Sequence, residues 1–177
     1  DGMIHSINFD NGKANYVNKF VRTEGFLVEE EMGKSMWAGL MERTGSSALP
    51  GWGAQGGIKD SSSTDITVHG GEALSTFYQC GEGYQLDPYT LETENKASWV
   101  PAGGLSAHPK VDLATGELLF FNYSKQAPFL NYGVVDQHQN LKHFIPVELP
   151  GPRLPHDMAF SKNYSIINDL PLFWDQE

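Results

Sequence analysis

Cysteine is nearly absent: Cys80 stands alone in 177 residues. No internal disulfide framework exists, and a reducing, cytoplasmic setting is the expectation. Long hydrophobic runs are missing too. Nothing approaches the roughly 18 apolar residues of a membrane-spanning helix, although peripheral attachment to a membrane through a short apolar loop stays open. Basic residues are scarce, with 12 Lys and Arg against 22 Asp and Glu, for a net charge of −10. A nucleic-acid backbone wants a cationic surface, so the balance argues against that partner. No segment holds a helical period over about a dozen residues. Glu24 to Met41 comes nearest, and Gly25, Gly33 and Gly39 weaken it.

Several chemistries lack their signatures. Gly51-Trp52-Gly53-Ala54-Gln55-Gly56 has neither the strand nor the helix that would make it a phosphate loop. No serine sits in a nucleophile-elbow pattern. Cys80, between Gln79 and Gly81, has no evident base and reads as an inert thiol. Glu29-Glu30-Glu31 reads as a solvated face.

What is present is short-strand patterning broken by turns, with 40% apolar residues, 19 glycines and 10 prolines. Ile4 to Phe9 and Ala14 to Phe20 flank Asn11-Gly12, a hairpin signal because that pair supplies positive φ angles. Met36 to Met41 is a further strand candidate. Residues 45–63, with Pro50-Gly51-Trp52-Gly53, Gly56-Gly57 and three serines, form an exposed loop insert. Strand pattern returns at Asp65 to Val68, Ala73 to Tyr78, Tyr84 to Leu86, Val111 to Asp112, Glu117 to Tyr123, Phe129 to Val135, Leu141 to Val147, His156 to Phe160 and Tyr164 to Asn168. Asp87-Pro88-Tyr89-Thr90 is a proline turn. The chain is therefore all-β, and the spacing suits a sandwich, a barrel or a propeller. Its beginning at Asp1 rather than Met, and its apolar close at Asn168-Asp169-Leu170-Pro171-Leu172-Phe173-Trp174, read as a slice of a larger protein.

Two histidines stand out. His108 precedes Pro109 and His156 follows Pro155, so both have little backbone freedom, and His108 is expected to be extended. They lie 48 residues apart, close to the roughly 40–50 residues of a propeller repeat. One histidine per blade, at the same place in successive blades, would aim both at a central axis. Neutral imidazole suits iron and zinc. The plainer reading is a pair of polar residues at turn–strand junctions. His5, His69, His138 and His143 read as loop or strand residues. Asp157, next to His156, should face the other way and brace the loop.

The chain resembles the carotenoid cleavage oxygenase family, which includes apocarotenoid, epoxycarotenoid and lignostilbene dioxygenases and a retinoid isomerase. The resemblance rests on Asp1-Gly2-Met3-Ile4-His5, Phe20-Val21-Arg22-Thr23 and Leu86-Asp87-Pro88-Tyr89-Thr90-Leu91-Glu92. Its most specific parts are Ala107-His108-Pro109-Lys110-Val111-Asp112 with Thr115-Gly116-Glu117 and Phe120-Phe121-Asn122-Tyr123, and Pro155-His156-Asp157-Met158-Ala159. It implies part of a seven-bladed β-propeller, with about two to three blades present and residues 1–177 forming an incomplete stretch of one domain. It implies four histidines around Fe(II), with His108 and His156 as the first two and the others beyond Glu177. The implied reaction is cleavage of a conjugated C=C bond of a small apolar substrate by O₂ to two carbonyl products. Two positions depart from the family pattern. Where members carry a glutamate that hydrogen-bonds a ligand histidine from behind, this chain has Gln79, with Glu82 the other residue open to that role. Where stilbenoid cleavers carry a lysine just before it, this chain has Tyr78, which favours a carotenoid or apocarotenoid over a stilbenoid. Gln79 also leaves open a degenerate member that binds an apolar isoprenoid without catalysis.

Overall fold

The computed structural model describes residues 1–39, 41–54 and 56–172. Phe173 and Trp174, the end of the apolar close, lie outside the described residues, as do Leu40 and Gln55. Among the described residues, four antiparallel sheets follow one another along the chain. A hairpin pairs β1 (Met3–Asp10) with β2 (Lys13–Phe20). Its turn is the expected one, with Asn11 at φ 48° and Gly12 at φ 76°, the double positive φ that matches the twist of a two-residue hairpin.

The first four-stranded sheet runs β3 (Asp65–His69), β4 (Glu72–Thr76), β5 (Tyr84–Leu86), β6 (Thr93–Lys96). The second runs β7 (Lys110–Asp112), β8 (Glu117–Tyr123), β9 (Phe129–Val135), β10 (Leu141–Glu148). The hairpin of β11 (Met158–Phe160) and β12 (Ser165–Ile167) follows. Each full sheet is an up-and-down meander, and the leading strands touch in series, β3 against β7 and β7 against β11. That is the arrangement of propeller blades, with leading strands grouped on the inside.

The cores lie between sheets. In β8 every residue from Leu118 to Tyr123 is buried, and alternate side chains serve opposite faces. Leu118 and Phe120 join Leu74, Trp99, Leu105 and Val135 on the side of the first sheet. Leu119, Phe121 and Tyr123 join Cys80, Leu130 and Met158 on the side of β11. A run such as Leu-Leu-Phe-Phe marks a strand covered on both faces, and stacked blades supply that cover. Phe120 lies over Gly133, its partner across β8 and β9, so closely that a Cβ on Gly133 would overlap the ring. Gly133→Ala in the full-length protein is expected to cost about 1–3 kcal/mol, the usual penalty of overpacking, read as a lower urea midpoint.

Three sequence expectations change. First, Met36 to Met41 does not make a strand: residues 36–39 and 41 lie in turns and irregular backbone. Side chains take the donors a ladder would need. Glu29 accepts from Met36 N (2.8 Å), Ser47 Oγ from Ala38 N (2.8 Å) and Glu42 from Gly39 N (2.9 Å). Second, a helix does form, α1 (Glu24–Met32), shorter than the span considered. Thr23 caps it by accepting from Phe26 N (3.0 Å), and Gly33 ends it at φ 62°. Glu29 is therefore no solvated residue, for it also holds Lys59 Nζ at 2.5 Å. Third, the segment 45–63 is not uniformly exposed. Residues 47–54 and 56–64 contain no strand or helix, but Ile58, Asp60 and Ser62 are buried. β6 had no strong signal, because Thr-Glu-Asn-Lys is polar throughout.

Candidate metal centre

The leading strands carry the histidines. His108 stands two residues before β7, and His156 two residues before β11, the same place in successive sheets. Their Nε2 atoms face each other at 3.3 Å, with ring centroids 5.0 Å apart and planes at 67°. One ion at the usual metal–imidazole distance of about 2.0–2.1 Å can touch both nitrogens, since twice that distance exceeds the separation. The pair thus fits half of an imidazole metal shell. Among the described residues, no group of three or more His, Cys, Asp or Glu side chains could hold a metal ion.

His108 is not extended. Its φ is 57°, in the left-handed region, which costs a non-glycine residue roughly 1–2 kcal/mol. That backbone turn swings the imidazole off the strand direction, so that Nδ1 meets Asp65 Oδ2 at 2.8 Å while Nε2 meets His156. Asp65 opens β3, and its other carboxylate oxygen accepts from Ile66 N at 2.8 Å. The tautomer that suits this contact donates from Nδ1 to the carboxylate oxygen and leaves the Nε2 lone pair facing His156.

A second tie holds the two histidine-bearing edges together. Lys110 donates to Asp157 Oδ1 at 2.6 Å, and the same oxygen accepts from Met158 N at 2.7 Å. Burial pushes the Asp157 carboxyl up, but the Lys110 ammonium and the Met158 N–H outweigh it and hold it below the ordinary carboxylate value. Asp157 braces the loop, as expected.

Gln79 ends the segment after β4 and is buried. Its backbone carbonyl accepts from Ala54 N at 3.1 Å. Its side-chain Oε1 is buried and has no hydrogen-bond partner among the described residues. Glu82 takes no part in the pair. Its backbone N–H donates to Asp60 and its carboxylate lies 3.6 Å from Lys96. Tyr78 stacks obliquely on His156, centroids 6.0 Å apart, with its carbonyl held by Ser106 Oγ (3.1 Å) and Tyr123 OH (2.7 Å). Tyr78, Phe77, Trp37 and Ile58 line a cavity of about 420 Å³, beside the Glu29–Lys59 ion pair.

Three of the other histidines make contacts away from this pair. His69 is buried against the Gly116 carbonyl (3.1 Å), His5 meets the Tyr16 hydroxyl (2.5 Å) and His138 meets Gln137 (3.2 Å). Burial pushes the Cys80 thiol up to about 12, against the pull of the Tyr123 N–H, so it is not a nucleophile at neutral pH. Sequence reasoning missed Asp65. It lies 43 residues from His108, and no local pattern distinguishes it from a strand-opening polar residue.

The family model of RPE65, retinal pigment epithelial membrane protein, matches residues 1–177. The chain belongs to the carotenoid cleavage oxygenase family. It is 31% identical to a carotenoid 9,10(9′,10′)-cleavage dioxygenase 1 of Pisum sativum, over 98% of this chain and 35% of the relative. It is 31% identical to an isoeugenol monooxygenase of Pseudomonas nitroreducens, over 97% of this chain and 36% of the relative. Among solved structures, the lignostilbene dioxygenase of Pseudomonas brassicacearum superposes with a TM-score of 0.84 at 26% identity, covering 99% of this chain and 36% of that one. A cobalt-substituted oxygenase of Synechocystis superposes at 0.73 with 26% identity, over 94% and 37%. The chain thus spans about a third of the length of its relatives. The sheets are blades of the family's β-propeller, and the family is one of metalloenzymes. No helix among the described residues is long and apolar enough to cross a membrane.

Proposed function

We propose that the full-length protein is a non-haem Fe(II) dioxygenase that cleaves a conjugated C=C bond of a carotenoid or apocarotenoid with O₂, giving two carbonyl products. The observation that carries this reading is the convergence of His108 and His156 Nε2 at 3.3 Å, from equivalent places in successive blades. These two imidazoles would hold the iron together with two later histidines. Bound there, iron supplies the activation of O₂. The chain's own residues do the rest. Asp65 holds the His108 ring, and the Lys110–Asp157 pair ties the two histidine-bearing edges together, which spares part of the reorganisation a loose site would need. Tyr78, beside His156, offers an aromatic wall rather than an ammonium to the substrate, which suits a polyene. The buried Oε1 of Gln79 is a ready acceptor for a ligand imidazole; an uncharged amide would raise that ligand's basicity less than a glutamate.

The test uses the purified full-length protein: iron per chain, and O₂-dependent formation of aldehydes from an apocarotenoid and from a stilbenoid. Stoichiometric iron with polyene cleavage is expected. Turnover of the stilbenoid alone would reassign the substrate. Apocarotenoid binding with neither iron nor turnover would favour the non-catalytic reading that Gln79 keeps alive.

The isolated 177-residue chain is expected to be inactive and to aggregate. Two imidazoles do not make a four-imidazole shell, and Phe9, Tyr16, Ile145 and Ile166 on the outer strands are exposed.

A further inference from the structure

We propose that Asp65 is a positioning residue for the metal centre: its carboxylate supports His108 from the neighbouring blade, a role that the sequence pattern assigns to the position of Gln79. The inference rests on reading His108 as a metal ligand. Three observations carry it. Asp65 Oδ2 lies 2.8 Å from His108 Nδ1, on the side of the ring away from His156. Oδ1 is tied to Ile66 N at 2.8 Å, so the carboxylate is clamped at both oxygens and does not swing to solvent. His108 holds a left-handed φ of 57°, which brings the ring to this carboxylate.

The consequence is chemical as well as geometric. A carboxylate on Nδ1–H selects the tautomer whose Nε2 lone pair is free, and raises the basicity of that nitrogen. Among the described residues, His108 is the one ion-pair partner of Asp65, so the carboxylate's charge is not drawn off by a lysine or arginine. Gln79, by contrast, is an uncharged amide whose oxygen lacks a partner. The charge lost at residue 79 is present at residue 65, directed at the first histidine.

The experiment compares Asp65→Ala, Asp65→Asn and His108→Ala in the full-length protein. Co(II) affinity is measured by competition with a chelator, and the melting temperature is measured on the metal-free forms. Asp65→Ala is expected to bind Co(II) about 10–100-fold more weakly with an unchanged metal-free melting temperature. Asp65→Asn, which keeps an acceptor but no charge, should fall between Ala and wild type. Wild-type Co(II) affinity in Asp65→Ala, with His108→Ala impaired, would overturn the role of Asp65 alone. Wild-type affinity in His108→Ala would overturn the metal reading itself. A weaker affinity matched by a lower metal-free melting temperature, and not rescued by Asn, would make Asp65 a structural residue only.

Discussion

In the full-length protein, on the dioxygenase reading proposed above, His108→Ala is expected to lower iron content and to cut the cleavage rate at least ~100-fold, more than the ~10–100-fold typical of a residue behind a ligand. The size follows from the geometry. His108 occupies the midpoint of a chain of contacts, Asp65 on one nitrogen and His156 on the other. Alanine would remove the proposed metal ligand, and it leaves the Asp65 carboxylate without its imidazole. It also releases a residue held at φ 57°, so the backbone around 108 relaxes and the position of Pro109 and β7 relaxes with it. Metal analysis and steady-state cleavage of an apocarotenoid check both parts. Unchanged iron and rate in His108→Ala would sink the ligand assignment. The fold should survive, because the side chain is about a quarter exposed at 26% and contributes little apolar burial.

Asp60→Ala acts on the fold, and its cost depends on pH. Asp60 is fully buried. Its two oxygens accept from Ser62 N (2.9 Å) and Glu82 N (2.7 Å), and Gly81 packs so closely on the carboxylate that no Cβ fits there. One side chain thereby pins the long loop to the connection between β4 and β5, two residues beyond Gln79. Alanine leaves the buried Ser62 N–H unpaired, at about 1–3 kcal/mol, and the half-buried Glu82 N–H with it. Burial pushes the Asp60 carboxyl up to about 7, with the Glu82 and Ser62 N–H groups pulling the other way. The native state therefore binds this proton more tightly than the unfolded chain does. Between about pH 4 and 7 unfolding releases it, so the stability that Asp60 contributes is complete at the acid end and is lost as pH rises through the folded pKa. The change across the window is about 4 kcal/mol at most. Asp60→Ala should accordingly destabilise more at pH 5 than at pH 8, and the difference between the urea midpoints of wild type and variant should shrink across that range. An equal cost at both pH values would show that Asp60 is ionised in the folded protein throughout.

How much of this was legible in the sequence varies by element. Where local chemistry decides, the reading matched the structure. Asn11-Gly12 made its hairpin, and Phe129 to Val135 became β9 residue for residue. Where tertiary hydrogen bonds compete with a local pattern, it failed. The donors of Met36, Ala38 and Gly39 went to Glu29, Ser47 and Glu42, so an apolar run that suits a strand forms none. The glycines that counted against a helix at Glu24 had a second meaning: Gly33 is the left-handed stop that ends it. At the candidate site the two histidines were visible because each is fixed by a proline and repeats at blade spacing. Asp65 was not, since nothing in the sequence around it marks a partner 43 residues away.

The sequence alone determined the class of the protein: frequent turns, many short strand patterns, and two histidine motifs that point to one family. Those are local properties, set by φ preferences and side-chain alternation. The histidine motifs already pointed two imidazoles at one place; only the tertiary structure decided which other groups meet them. Stacking the blades around their leading strands brings β3, β7 and β11 together, and with them a carboxylate, two imidazoles and a tyrosine ring from four separate stretches of chain. Such meetings depend on how the blades twist and pack, and a linear pattern of residues does not encode them at any single position.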